Sequence, residues 1–119
     1  MEKRNGGFLA RAVVNGRETA RLIVDTGATS TILSPSVAAR LGLAVRWDPP
    51  VLMNTVGGAT QGGWADVDSL SVGGHEATRL RVIVYEIAEG VDGLLGMDFL
   101  NLFRVEIHAR RPSLTLSPP

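Results

Sequence analysis

Fourteen glycines in 119 residues, mostly paired or at turn positions, cut this chain into short segments rich in β-branched residues. Helices of ordinary length do not survive such punctuation, because each internal glycine costs about 1 kcal/mol of helix stability. Strands joined by tight turns do. The expected class is therefore all-β, a barrel or sandwich with one or two short helices. At this length the chain is read as one domain spanning 1-119, enough for a single hydrophobic core.

The segments follow from the turn signals. Phe8 to Val14 and Arg17 to Val24 flank Asn15-Gly16, the strongest short hairpin signal. Ser34-Pro35 opens a short helix that Gly42 closes, with serine as N-cap and proline in the first turn. Asp48-Pro49-Pro50 reads as a loop. Val51 to Val56 and Gln61 to Val72 flank a glycine-rich tip, and Gly73-Gly74 turns the second of them into His75 to Tyr85. In that last strand Leu80, Val82 and Val84 alternate with Arg79, Arg81 and Ile83, as a half-buried strand requires. A brief helix from about Met97 to Leu102 precedes two further strands, Arg104 to His108 and Ser113 to Leu116.

One residue is out of place in this pattern. The apolar run Leu22-Ile23-Val24 delivers Asp25 into the turn Asp25-Thr26-Gly27-Ala28. A carboxylate at the end of a buried strand costs free energy unless donors surround it, so packing does not account for it. Thr26 adds a hydroxyl, and Gly27 permits a close approach of backbone to carboxylate.

Apolar-apolar-Asp25-Thr26-Gly27-Ala28, followed later by Leu94-Leu95-Gly96, resembles the aspartic proteases, and within them the short retropepsin-like branch. Between these motifs, Asn54 to Trp64 resembles the glycine-rich flap of that family, here with a tip longer than the retroviral pattern. The resemblance implies a retropepsin-like acid protease barrel. It implies Asp25, Thr26 and Gly27 as the catalytic loop, and a substrate surface at Ala28, Thr29, Val56, Gly57, Gly58, Ala59 and Leu94. It implies no cofactor and no metal. Ile32 and Val51 join Val56 and Leu94 as expected pocket walls.

Peptide hydrolysis of this kind needs two carboxylates sharing one proton, and the chain has one D-T-G. The expected enzyme is an aspartic endopeptidase active as a homodimer, with Asp25 supplied by each of two copies, and the resemblance implies that Thr26 of each braces the opposite loop. Ser113 to Leu116 is the segment available for an interleaved dimer sheet. The alternative is a retropepsin-fold dimerisation or peptide-binding module that cleaves weakly or not at all; the intact D-T-G-A favours the enzyme. Ala28 stands where pepsin-like enzymes carry serine, which removes a donor to the carboxylate and predicts an optimum less acidic than theirs. Thr29 and Met97 replace the acid and the arginine of retroviral members.

Other residues have plainer readings. Asp92 is a turn residue and Asp98 faces a helix dipole. Asp66 and Asp68 lie on a solvated strand edge. His75 and His108 lack neighbouring ligands for zinc. Trp47 and Trp64 are read as packing residues, Trp64 at the flap base. Twelve basic and twelve acidic residues balance, so no electrostatic footprint favours nucleic acid. There is no cysteine, hence no disulfide. No apolar run approaches the ~20 residues of a membrane span, and Met1 to Gly7 has no apolar signal-peptide core. A cytoplasmic location is expected, the alternative being a soluble domain tethered by an upstream helix.

Overall fold

The computed structural model describes residues 2–4, 7–55, 58–88, 90–102, 104–108 and 113–117. Its elements are, in chain order, β1 (Glu2–Arg4), β2 (Gly7–Val14), β3 (Glu18–Val24), β4 (Ile32–Leu33), α1 (Pro35–Arg40), β5 (Arg46–Thr55), β6 (Gly58–Val72), β7 (His75–Val84), β8 (Gly93–Leu95), α2 (Met97–Leu100), β9 (Arg104–His108) and β10 (Ser113–Ser117). Eight strands form one sheet in the order β1-β2-β3-β8-β4-β7-β6-β5. A further pairing of β2 with the end of β6, Ala12 to Val14 against Val72 to Leu70, closes six of them into a barrel. Strands β9 and β10 pair antiparallel as a separate hairpin.

The Asn15-Gly16 turn forms as the dipeptide predicts, with φ of 54° and 63°. Asn15 does more than turn the chain. Its Oδ1 accepts the amides of Asp68 at 2.7 Å and Ser69 at 3.2 Å. There the buried face of β6 switches from Val67 to Leu70, and Arg79 on the paired strand adopts φ 54°. The hairpin tip thus satisfies the amides of the bend and pins β2 against it.

Helix α1 is capped by Ser34, whose Oγ accepts from the amide of Val37 at 3.2 Å. Val37 and Ala38 face the core. That core is lined by Leu22, Leu33, Leu70, Val82, Leu95 and Phe99, all fully buried. Each such leucine or phenylalanine contributes about 2 kcal/mol by leaving water.

Two expectations are corrected. Asp48-Pro49-Pro50 is not a loop: it lies within β5, where the register against β6 slips between Arg46 and Val51 and the Asp48-Pro49 peptide is cis. The bulged edge is what tolerates two prolines, since no residue between Arg46 and Val51 has a register partner on β6 and their missing N–H groups break no ladder bond. The flap tip is also shorter than expected. Thr55 pairs with Gly58 and Val51 with Gly62, so Gly58 to Gly63 belong to strand β6. Only Val56 and Gly57 remain between the strands, and both lie outside the described residues.

Gly62 and Gly63 serve packing rather than mobility. A Cβ on Gly63 would stand 2.8 Å from the Trp47 ring and 2.9 Å from Val45, and one on Gly62 would stand 3.0 Å from the Met53 sulfur. Helix α2 ends at Leu100, two residues before the sequence pattern suggests, and β7 ends one residue before Tyr85. Among the described residues no helix is long and apolar enough to cross a membrane.

Candidate active site

Asp25 follows β3 directly, and the strand's register fixes it. Leu22, Ile23 and Val24 pair parallel to Gly93, Leu94 and Leu95, and the Asp25 amide continues the ladder by donating to the Leu95 carbonyl at 3.0 Å. The chain then turns sharply. The amide of Gly27 donates to Asp25 Oδ1 at 2.9 Å, and that of Ala28 donates to the Asp25 carbonyl at 3.2 Å. A Cβ at Gly27 would lie 3.2 Å from the same carboxylate oxygen, so glycine keeps this approach open. Asp25 is half-buried, and Thr26 and Gly27 are exposed.

The far side of the loop is clamped to α2. Gly96, at the helix N-cap, has no side chain to offer, and the first helical amides are met by the loop instead. Met97 donates to the Ala28 carbonyl at 2.8 Å and Asp98 to the Thr29 carbonyl at 3.2 Å. Asp98 then reaches back. Its carboxylate accepts from the Thr31 amide at 2.9 Å, the Thr31 hydroxyl at 2.7 Å and the Phe99 amide at 2.8 Å. The Thr31 oxygen in turn accepts from the Gly96 amide at 3.1 Å. Asp98 is therefore a buckle between two segments, a role its position in a helical first turn did not reveal. Asp92 likewise does more than turn: Oδ2 accepts the Arg21 amide at 2.9 Å and extends the β3–β8 ladder.

Asp25 opens into a cleft of about 660 Å³. Of the expected substrate residues, Ala28, Thr29 and Leu94 line it, as does Ile32. Gly58 and Ala59 sit exposed at the start of β6 and are not in the lining, while Val56 and Gly57 fall outside the described residues. Val51 is replaced by its neighbours Leu52, Met53 and Asn54 on the flap strand. Ile83, Tyr85 and Ile87 complete the wall. These last carry no motif; only the outward face of β7, opposite the buried Val82 and Val84, marks Ile83. Asp25 is the one carboxylate among the described lining residues. One carboxylate can hold or activate a water. It cannot also supply the acid that protonates a carbonyl.

Comparison with known proteins places this arrangement. A sequence model of the aspartyl protease family matches residues 10–99. Among solved structures, a retropepsin-like aspartic protease from Rickettsia conorii superposes with a TM-score of 0.70 at 25% identity, covering 96% of this chain and 84% of its own. The EIAV protease, solved with the inhibitor HBY-793, superposes with a TM-score of 0.65 at 19% identity, covering 85% of this chain and 91% of its own, which is a likeness of fold. No curated protein matches in sequence. The strand-dominated barrel with its two short helices is the retropepsin fold.

Proposed function

The chain belongs to the aspartyl protease family, and from that premise we propose that it is a homodimeric endopeptidase that cleaves extended peptides between two copies of Asp25. The observation that carries this reading is the cleft itself: roomy enough for several side chains, apolar in most of its walls, and holding a single carboxylate among its described residues. The second carboxylate then comes from a second copy related by a two-fold axis, and the exposed Thr26 is free to meet that copy's loop.

In the mechanism one Asp25 is ionised and its mate protonated. The ionised carboxylate takes a proton from a water held between them as the water oxygen bonds to the scissile carbonyl carbon. The protonated one gives its proton to the carbonyl oxygen. The tetrahedral diol then collapses: one of its hydroxyls gives its proton to the ionised carboxylate, the C–N bond breaks, and the leaving nitrogen takes up the proton of the other carboxyl, which restores the one-proton pair. Gly27 serves by holding its amide on Asp25 Oδ1, which orients the carboxylate. Ala28, Thr29 and Leu94 contact substrate, and the hairpin of β5 and β6, with Gly58 and Ala59, covers it by strand pairing.

The test is digestion of a diverse peptide mixture from about pH 3 to about pH 8, read by mass spectrometry, with Asp25→Asn beside the parent chain. Cuts that vanish in the variant and follow a bell-shaped pH profile are expected. A chain that dimerises yet makes no Asp25-dependent cut would be a peptide-binding module instead.

A further inference from the structure

The strand register lays one row of side chains across five strands. Leu94 pairs with Ile32, Ile32 with Ile83, Ile83 with Trp64 and Trp64 with Arg46, taking the row from β8 through β4, β7 and β6 to β5. Paired residues share a face of the sheet. The first three of these side chains line the cleft beside Asp25. The row then leaves the cleft and arrives at the half-buried Trp64, where Arg46 from one neighbouring strand and Arg81 from the other stack over the indole, their guanidinium carbons 4.9 and 4.0 Å from the ring centre. We propose that this arginine–tryptophan shelf is a distal substrate subsite that binds an acidic side chain of the peptide lying in the cleft.

Stacking occupies the face of a guanidinium and leaves its in-plane N–H donors free. Arg81 spends Nε on Asp66 Oδ1 at 3.1 Å, both side chains being more than 60% exposed. Arg46 has no carboxylate partner among the described residues, Asp48 two positions along its own strand included. Two cations thus share one ring with one paired carboxylate between them. A second carboxylate relieves their repulsion and meets a planar, prepositioned donor set suited to bidentate binding. Among the described residues of the cleft lining there is no lysine, arginine or histidine, so recognition of an acidic residue falls to this shelf.

The spacing sets the position read. Strands lie about 4.8 Å apart, so Trp64 stands roughly 14 Å and Arg46 roughly 19 Å along the row from Leu94. An extended peptide advances about 3.3 Å per residue, which puts the acid about four to six residues from the scissile bond. In a two-fold dimer the shelf recurs at both ends of the cleft, so either flank of the substrate serves.

This inference rests on the protease reading, and the experiment separates the two. Peptides of one apolar central sequence carry Glu, Gln or Lys at successive positions three to seven from the centre. They are tested for cleavage by the parent chain, and for binding to the Asp25→Asn chain by fluorescence anisotropy of a labelled terminus. For Glu at its best position over Gln, a gain of about tenfold in kcat/KM, carried by KM and shrinking at high salt, is expected. The ratio falls towards one in Arg46→Gln and turns in favour of Lys in Arg46→Glu. Cleavage without any Glu preference, or a preference that Arg46→Glu leaves intact, overturns the subsite. If the parent chain cuts nothing, the protease reading fails, and the Asp25→Asn binding series then decides the subsite alone: equal affinity for Glu and Gln peptides overturns it, and a preference that reverses in the doubly substituted Asp25→Asn, Arg46→Glu chain upholds it.

Discussion

Thr31 and Asp98, 67 residues apart in the chain, are joined twice: the threonine amide donates to one carboxylate oxygen at 2.9 Å and its hydroxyl to the other at 2.7 Å. Thr31 is fully buried, so neither donor can turn to water if the acceptor is removed. Asp98→Ala should therefore cost on the order of 3 kcal/mol, the penalty of two orphaned buried donors. Asp98→Asn should cost less, because its amide oxygen still accepts one of them. Urea midpoints measure both, and a midpoint for Asp98→Ala equal to the parent's would show that the buckle carries no load. In cleavage assays the same substitution should lower kcat, since the loop ending at Thr31 begins at Asp25.

Gly96 and Gly42 separate two reasons for glycine. A Cβ on Gly96 would stand 2.6 Å from the Ser30 carbonyl carbon and oxygen, which are backbone atoms that cannot rotate aside. Gly42 has nothing within 4 Å but holds φ of 65°. Gly42→Ala should cost about 1 kcal/mol of backbone strain. Gly96→Ala should cost roughly 3 kcal/mol or more, by prising α2 from the Asp25 loop. Thermal melts of the two variants rank these, and the reverse order would refute the packing argument.

The sequence made the class and the Asp25 turn readable because both rest on local signals: turn dipeptides, strand alternation, and an aspartate where an apolar run stops. Asn15-Gly16 and the Ser34 cap formed as their chemistry requires. What it hid was relational. The paired glycines at 62 and 63 suggest freedom when read along the chain, and only the fold brings Trp47, Val45 and Met53 against them. Asp98 looks like any acid in a first helical turn until Thr31 is folded beside it. The row from Leu94 to Arg46 draws on five strands scattered over half the sequence, and no window of residues contains it.

The Trp47–Gly63 contact gives a test of that packing. Trp47 is 55% exposed and can swing outward when a methyl is added, so Gly63→Ala should cost only about 1 kcal/mol. If the indole takes part of the methyl's push, that part of the cost should disappear in a Trp47→Ala background, the Val45 methyl at 2.9 Å keeping the remainder. A double-mutant cycle by denaturant unfolding reads the coupling, and additive effects of the two substitutions would place the source of strain elsewhere.

Dimer-dependent catalysis makes the sharpest demand on the proposed function. Below the dissociation constant, dimer concentration varies as the square of chain concentration, so specific activity should fall in proportion to dilution. Thr26 is exposed in the single chain and sits one residue from Asp25, where a partner's loop would meet it. Thr26→Ala should move the half-activity point to roughly tenfold higher concentration, and Thr26→Ser, which keeps the hydroxyl, should move it back. Unfolding midpoints of the variants at low concentration should stay close to the parent's, because an exposed hydroxyl adds little to the isolated fold. Specific activity constant over a thousandfold dilution, with sedimentation as a monomer, would require the second carboxylate to come from within one chain, where the described residues of the cleft lining offer Asp25 alone.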